Sequence, residues 1–138
     1  MFCGIGGFRL AMNSSQVECV FSSDNDKFAQ QTYEANFHEV PTGDIKAVNE
    51  KDIPSFDILT AGFPCQPFSY AGEKQGFNDE VRGTLFFDVC RILEYHKPPM
   101  VFLENVKGLK SHDNGKTLQT VLDTLKKLGG LWYSKIRH

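Results

Sequence analysis

The 138-residue sequence predicts a doubly wound α/β fold. Three short apolar runs of the kind that form buried parallel strands are separated by segments with helical periodicity. Strands that alternate with helices along a chain are typical of a parallel sheet with helices on both faces. With 41% hydrophobic and 12% aromatic residues, the chain is expected to form one domain around its own core.

The predicted strands cover residues 19–21, 56–61 and 100–103, each followed by a polar or glycine-containing turn. Pro98 and Pro99 end a helix and lead into the third of these strands, and residues 113–115 open the last helix. Two helices are indicated by apolar residues spaced three and four apart, which share one face. These residues are Leu85, Phe86, Val89, Ile92 and Leu93 in the first helix, and Leu118, Val121, Leu122, Leu125 and Leu128 in the second.

Both ends of the predicted sheet look short. Only Met1, Phe2 and Cys3 precede the first glycine turn, so the first strand is expected to be clipped or to begin upstream. Residues 131–136 could begin a further strand just before the sequence stops. We therefore expect a fold that is truncated at both ends.

The charge and hydropathy patterns favour a cytoplasmic protein without a membrane segment. No apolar run approaches the roughly 20 residues that span a bilayer, and no secretory signal is present. A net charge of −2 and scattered Lys and Arg residues do not indicate autonomous binding to nucleic acid. The four cysteines and four histidines follow no ligand spacing, so free thiols and no metal site are expected.

A glycine-rich turn at residues 2–8 follows the first strand and opens a helix, where a ligand can approach the backbone. Asp24 comes twenty positions after Gly4, about where an acid that binds a cofactor ribose is expected. A dinucleotide motif would need a third glycine where Arg9 stands, which disfavours a nicotinamide oxidoreductase. The alternative is a purely structural turn, with Asp26 capping the next helix.

A cysteine follows the strand predicted at residues 56–61, in a loop that prolines stiffen. Pro64 and Pro67 bracket Cys65 and Gln66, which places the thiol at the edge of the sheet where ligands bind. Glu104 follows the next strand at the same edge. A thiol and a carboxyl group at one cleft predict nucleophilic and acid catalysis. The other three cysteines are interpreted as small core residues.

Four motifs, in this order, resemble those of the C5-cytosine DNA methyltransferases. They are Phe2-x-Gly4-x-Gly6-Gly7, Pro64-Cys65-Gln66, Arg82-Gly83-x-Leu85-Phe86 and Glu104-Asn105-Val106. The resemblance runs from residue 1 to about residue 128. It implies the doubly wound, Rossmann-like sheet of S-adenosylmethionine-dependent methyltransferases, and it implies methyl transfer from S-adenosyl-L-methionine to C5 of cytosine in DNA.

The same resemblance implies a role for individual residues. Cys65 would be the nucleophile that adds to C6 of cytosine, and Glu104 would hold and protonate the ring at N3. Asp24 would bind the cofactor ribose and Asp44 the adenine amino group, and no metal is implied. The other implied cofactor-binding residues are Phe2, Gly4, Ile5, Gly6, Gly7, Asn25, Ile45, Pro64 and Leu85, and the implied DNA-binding residues are Gln66 and Ser69.

The implied partner is double-stranded DNA with a flipped-out cytosine, as in a restriction-modification system at the nucleoid of a bacterial or phage-infected cell. The family's Gln-x-Arg motif, target-recognition region and final cofactor motif are not found, so residues 1–138 are expected to be a partial catalytic domain. Turnover would then need the missing half or a second polypeptide. Two alternatives stay open: a fragment or split subunit that only binds S-adenosylmethionine, and cytosine methylation in RNA. Asp24 stands where the family usually has Glu, and its shorter side chain would weaken binding of the cofactor.

Overall fold

The structure, a computed structural model, describes residues 1–64 and 85–129. These residues contain two strands and four α-helices. They are, in chain order, α1 (Gly7–Met12), α2 (Lys27–Phe37), β1 (Ile58–Gly62), α3 (Leu85–His96), β2 (Met100–Glu104) and α4 (Lys116–Lys127). Short 3-10 helices cover Ile45–Ala47, Glu50–Asp52, Lys107–Lys110 and His112–Gly115. The chain divides into two units, Met1–Gly62 with Pro98–Glu104, and Phe63–Lys97 with Asn105–His138.

The first unit is built on a parallel sheet. Strands β1 and β2 pair in parallel, from Ile58 opposite Met100 to Gly62 opposite Glu104. Beyond β1, the Met1 nitrogen donates a hydrogen bond of 2.8 Å to the Thr60 carbonyl. The prediction of a parallel α/β fold is thereby confirmed for its central strands.

A few backbone hydrogen bonds continue this sheet on the far side of residues 1–3. The Cys3 N–H donates to the Ser23 carbonyl at 3.0 Å, and Ser23 forms an isolated parallel bridge with Thr42. The segments therefore lie in the order Thr42, residues 22–24, residues 1–3, β1 and β2. From residues 1–3 the chain proceeds outwards to residues 22–24 and Thr42 on one side of the sheet, and β1 and β2 follow on the other side. The strand order therefore reverses between residues 1–3 and β1. In open α/β sheets, ligands bind at such a switch point.

The predicted strands at 56–61 and 100–103 correspond to β1 and β2, but two parts of the strand prediction are wrong. Residues 19–21 form no strand within the described chain, because the bonds to the neighbouring segments fall on residues 22–24. Strand β2 was expected to be buried on both faces, yet Met100 is 56% and Phe102 is 52% exposed. A short apolar run does not distinguish a strand buried on one face from a strand buried on both.

Helix α2 begins at the predicted cap. The Asp26 carboxylate accepts hydrogen bonds from the Phe28 and Ala29 N–H groups at 2.9 and 2.8 Å. A side-chain acceptor here satisfies backbone donors that the first helical turn leaves without partners. The alternative structural role of Asp26 is therefore present in the fold.

Arg9 joins α1 to α2 at the position where a dinucleotide motif would have its third glycine. Its guanidinium donates to the Glu39 carboxylate in a two-pronged ion pair and to the Tyr33 hydroxyl at 3.2 Å. The same group lies 5.1 Å from the centre of the Phe37 ring. A planar guanidinium suits both a bidentate ion pair and contact with an aromatic face. Arg9 therefore holds the helix that follows the glycine turn.

Gly6 is the residue of the glycine turn at which substitution is expected to cost most stability. Its φ is +97°, and a β-carbon there would lie 2.1 Å from a ring carbon of Phe37. Left-handed backbone strain costs about 1–2 kcal/mol and overpacking about 1–3 kcal/mol, so Gly6→Ala is expected to lower the free energy of unfolding by about 3 kcal/mol. Urea unfolding measures this difference. The control is Gly43→Ala, where a β-carbon meets nothing within 4 Å, and equal stability losses in the two variants would contradict the assignment.

The second unit contains the two predicted amphipathic helices, and both are confirmed. On α3, the residues Phe86, Val89, Ile92 and Leu93 are each at most 2% exposed. On α4, the side chains of Val121 and Leu125 are buried, as is that of Thr117. Among residues 1–64 and 85–129, no helix combines the length and the apolarity that crossing a membrane requires.

Candidate active site

The glycine turn presents open backbone at the switch point. Phe2 and Gly4 both have φ values of +51°, and the Gly6 N–H donates to the Cys3 carbonyl at 2.9 Å. A β-carbon placed on Gly4 or Gly7 would meet nothing within 4 Å. Open space beside a glycine backbone allows close approach of a ligand. The exposed Ile5 lies in the same turn.

The structure brings Asp24 to this turn. One carboxylate oxygen accepts a hydrogen bond from the Gly4 N–H at 2.7 Å, and the other accepts from the Asp26 N–H at 3.0 Å. The glycine turn and the acid that together predict a cofactor site are therefore in direct contact. Asn25, which follows the acid, is exposed.

Asp44 and Ile45 have local structural roles. The Asp44 carboxylate accepts from the Lys46 N–H at 3.0 Å and caps the 3-10 helix that begins at Ile45. Ile45 is 2% exposed and belongs to the core. The Thr42 carbonyl accepts a hydrogen bond from the Asp24 N–H, and Thr42 lies two residues before Asp44 in the chain. The segment that pairs with Asp24 therefore leads directly into this cap. The adenine-binding role of Asp44 and the place of Ile45 in the cofactor pocket stay predictions.

The Glu104 carboxyl group and the glycine turn both lie close to Gly62, at the end of β1. An ideal β-carbon built on Gly62 would lie 3.3 Å from Oε2 of Glu104, 3.8 Å from Cε2 of Phe8 and 3.9 Å from the Phe2 carbonyl oxygen. The Phe8 ring packs edge-on against Phe102, with ring centres 5.5 Å apart. The glycine turn and a carboxyl group thus converge on Gly62.

Asn105 is a residue of this region whose role the sequence pattern does not predict. Its amide nitrogen donates to the Phe63 carbonyl at 2.6 Å, and its amide oxygen accepts from the Val106 N–H at 2.9 Å. The Phe63 ring is buried against Phe86, with ring centres 5.3 Å apart. Two contacts therefore hold the chain directly before Pro64. The sequence signal that could have indicated this role of Asn105 is the position of a polar residue immediately after a predicted strand.

The remaining predicted residues belong to the second unit or lie outside the described residues. Pro64 is exposed and Leu85 is half-buried at the start of α3; both belong to the second unit. Five residues from the four family motifs and the implied DNA contacts lie outside the described residues: Cys65, Gln66, Ser69, Arg82 and Gly83.

Of the three cysteines interpreted as core residues, Cys90 is buried, whereas Cys3 and Cys19 are only half-buried, because they lie in segments near the surface and not on a core-facing helix. Burial, with a smaller contribution from the charge of Asp24, raises the pKa of the Cys3 thiol to about 11. Burial raises the pKa of Cys90 to about 12. Both thiols therefore stay protonated near neutral pH, and a protonated thiol is a poor nucleophile. Across residues 1–64 and 85–129, no three His, Cys, Asp or Glu side chains come together in a group that could hold a metal ion.

Comparison with known proteins identifies one family. The family model of the C-5 cytosine-specific DNA methylases matches residues 1–136. The type II methyltransferase M.HhaI from Haemophilus parahaemolyticus is 55% identical over 136 residues, which cover 99% of this chain and 41% of the relative. M.HpaII from Haemophilus parainfluenzae is 58% identical over 128 residues, which cover 91% of this chain and 36% of the relative. The chain thus spans about two fifths of the length of the curated relatives it matches.

Solved structures agree with the fold. A mutant of DNMT2 from Spodoptera frugiperda matches with a TM-score of 0.65 and 26% identity, over 92% of this chain and 39% of that one. The Dnmt2 methyltransferase of S. pombe matches with a TM-score of 0.59 over 88% of this chain and 38% of that one. At 23% identity, the second likeness concerns the fold alone.

Proposed function

Because the chain belongs to the C-5 cytosine-specific DNA methylase family, we propose that it carries the active site for methyl transfer from S-adenosyl-L-methionine to C5 of cytosine in DNA. The observation that carries this proposal is the convergence of the glycine turn and the Glu104 carboxyl group on Gly62. Residues 1–138 are proposed to form part of the catalytic domain. Turnover is then proposed to need segments that correspond to the remaining three fifths or so of the relatives.

The residues of the turn fit a nucleoside cofactor. The space beside Gly4 and Gly7 admits a ligand, and the Asp24 carboxylate is a suitable acceptor for ribose hydroxyls. The other residues proposed to hold S-adenosylmethionine are Phe2, Ile5, Gly6, Asn25, Asp44, Ile45, Pro64 and Leu85. When bound, S-adenosylmethionine supplies an electrophilic methyl group on a sulfonium, which C5 of the activated ring accepts.

Cys65 is proposed to activate the cytosine. C5 of cytosine is too weak a nucleophile to take a methyl group, whereas addition of a thiolate to C6 turns C5 into the nucleophilic carbon of an enamine. Covalent catalysis of this kind divides one difficult step into easier ones. Once C5 has taken the methyl group, transfer of the C5 proton to a base such as water expels the Cys65 thiolate and restores the aromatic ring.

Glu104 is proposed to hold and protonate the ring at N3 during that addition. A proton at N3 neutralises the charge that develops when the thiolate attacks, and so it lowers the barrier from the substrate side. A β-carbon on Gly62 would lie 3.3 Å from a Glu104 carboxyl oxygen and 3.9 Å from the Phe2 carbonyl, which supports placing the target base near the cofactor turn. Because both ring faces are stacked in a duplex, the cytosine must be flipped out, at a cost of a few kcal/mol.

The proposed partner is double-stranded DNA, contacted in part by Gln66 and Ser69, in the cytoplasm of a bacterial or phage-infected cell. With a net charge of −2, the chain lacks the excess of cations that neutralises phosphates. We therefore assign most of the DNA binding to a further segment or to a second polypeptide. The same observation favours one alternative, a subunit that binds S-adenosylmethionine without turning over by itself.

Calorimetric titration of the 138-residue chain with S-adenosylmethionine tests the cofactor assignment, with NAD as the control ligand. Selective binding of S-adenosylmethionine is expected. Asp24→Asn removes a charged acceptor, so it is expected to weaken binding by about 10-fold or more. Asp26→Asn is the matched control, because asparagine caps a helix as well as aspartate does and the affinity should stay unchanged.

Two results would count against this assignment. Equal affinities in the Asp24 and Asp26 variants would remove Asp24 from the cofactor site. Binding of NAD in place of S-adenosylmethionine would replace the proposed methyl transfer with nicotinamide chemistry.

A further inference from the structure

We propose that Gly62 is a positioning residue for Glu104, and that its missing side chain lets the Glu104 carboxyl group lie over the end of β1. This inference rests on the proposed function of Glu104 as the group that protonates cytosine. It assigns to Gly62 a role in aiming that carboxyl group.

The strand register makes the two residues neighbours. Gly62 is paired with Glu104 in the parallel ladder of β1 and β2. Neighbouring strands lie roughly 4.8 Å apart, and side chains at paired positions point to the same face of the sheet. The Glu104 side chain therefore extends beside the position that a residue-62 side chain would occupy.

The space over Gly62 is closed to a methyl group unless the carboxylate moves. A β-carbon there would lie 3.3 Å from Oε2 of Glu104, which is tighter than ordinary van der Waals contact. Its next neighbours would be the Phe8 ring at 3.8 Å and the Phe2 carbonyl at 3.9 Å. The Phe8 ring packs against Phe102, and the Phe2 carbonyl belongs to the backbone. The end of the flexible Glu104 side chain is therefore the group that yields.

The backbone of Gly62 offers no competing explanation for a glycine. Gly62 is not among the glycines with positive φ, whereas Gly4 and Gly6 are. Glycine within a strand is also less stable than residues with a side chain. The contact with Glu104 accounts for glycine at this position where the strand conformation does not.

Displacement of the carboxyl group matters because proton transfer depends on its position. A general acid has to lie within hydrogen-bond reach of the atom that it protonates, about 2.6–3.2 Å. A shift of the carboxyl group or a rotation of its plane moves the proton away from the direction of the accepting atom. Gly62 would thus control how well Glu104 meets N3 of the base.

Carbon-13 NMR of the 138-residue chain, labelled at the glutamate side-chain carboxyl carbons, tests the proposal. The Glu104 signal is identified by its loss in Glu104→Gln. Gly62→Ala is expected to shift that signal and to leave the other glutamate signals in place. Gly108→Ala is the matched control, because its β-carbon would make an ordinary 4.0 Å contact with Val106. An unmoved Glu104 signal in Gly62→Ala would overturn the proposal.

A second measurement, made on the parent chain, tests the proposal even if Gly62→Ala does not fold. Proton NMR is expected to show a cross-relaxation peak between the α-protons of Gly62 and the γ-protons of Glu104. Absence of this peak would overturn the placement of the side chain over Gly62. Neither measurement involves methyl transfer, so failure of the proposed function, tested with Glu104→Gln in an activity assay, is distinguishable from failure of this inference.

Discussion

Replacing Cys65 with alanine is expected to abolish the covalent complex between the protein and DNA that contains 5-fluorocytosine. Fluorine at C5 cannot leave as a proton, so an adduct formed by thiolate addition at C6 and methyl transfer to C5 is trapped. Alanine has no nucleophilic atom with which to form the first bond. The expected effect is therefore complete loss of the adduct.

Denaturing electrophoresis after incubation with S-adenosylmethionine measures this adduct. The chain is assayed alone and together with the part of M.HhaI that lies outside the aligned region, which supplies segments that this chain does not match. Cys19→Ala is the control, because Cys19 is a free, half-buried cysteine outside the four family motifs and should leave the adduct intact. A surviving adduct in Cys65→Ala would sink the assignment of the nucleophile. No adduct with the parent chain in either assay would contradict the proposed reaction on DNA.

Glu104→Gln is expected to slow methyl transfer by a factor on the order of 10² or more. Glutamine has nearly the same shape and can still hydrogen-bond to the base, but it cannot deliver a proton to N3. The calorimetric affinity for S-adenosylmethionine is expected to stay nearly unchanged, because the proposed cofactor contacts of the turn and Asp24 are intact. Single-turnover transfer of a radiolabelled methyl group to DNA measures the rate in the supplemented assay.

The control for this prediction is Glu18→Gln, which removes the same kind of charge from an exposed position. Its transfer rate should match that of the parent. If Glu104→Gln is as fast as the parent, Glu104 has no part in the chemistry. If it loses affinity for S-adenosylmethionine, Glu104 acts in cofactor binding and the protonation role is wrong.

The elements that could be predicted from the sequence are those with a strong local pattern. Apolar spacing of three and four residues indicated α3 and α4, and continuous apolar runs indicated β1 and β2. These patterns succeed because the period of the apolar residues reflects which face of one element is buried. The predicted strand at residues 19–21 failed because its position depends on the bonds of residues 22–24 to Cys3 and Thr42, which are distant in sequence.

The sequence by itself determined the order and chemical type of the motifs, and hence the family: a glycine turn, an acid, a proline-flanked cysteine and a glutamate after a strand. The tertiary structure decided which of the described groups meet. It placed the Asp24 carboxylate on the Gly4 N–H, the Glu104 carboxyl group over Gly62, and the Arg9 guanidinium between α1 and α2.

Residue periodicity describes one element at a time, whereas these contacts depend on strand order and on the register between β1 and β2. Strand order and register arise from hydrogen bonds and packing between segments that are far apart along the chain. The family's motifs could therefore be recognised from the sequence, while the role proposed for Gly62 emerged once β1 was paired with β2.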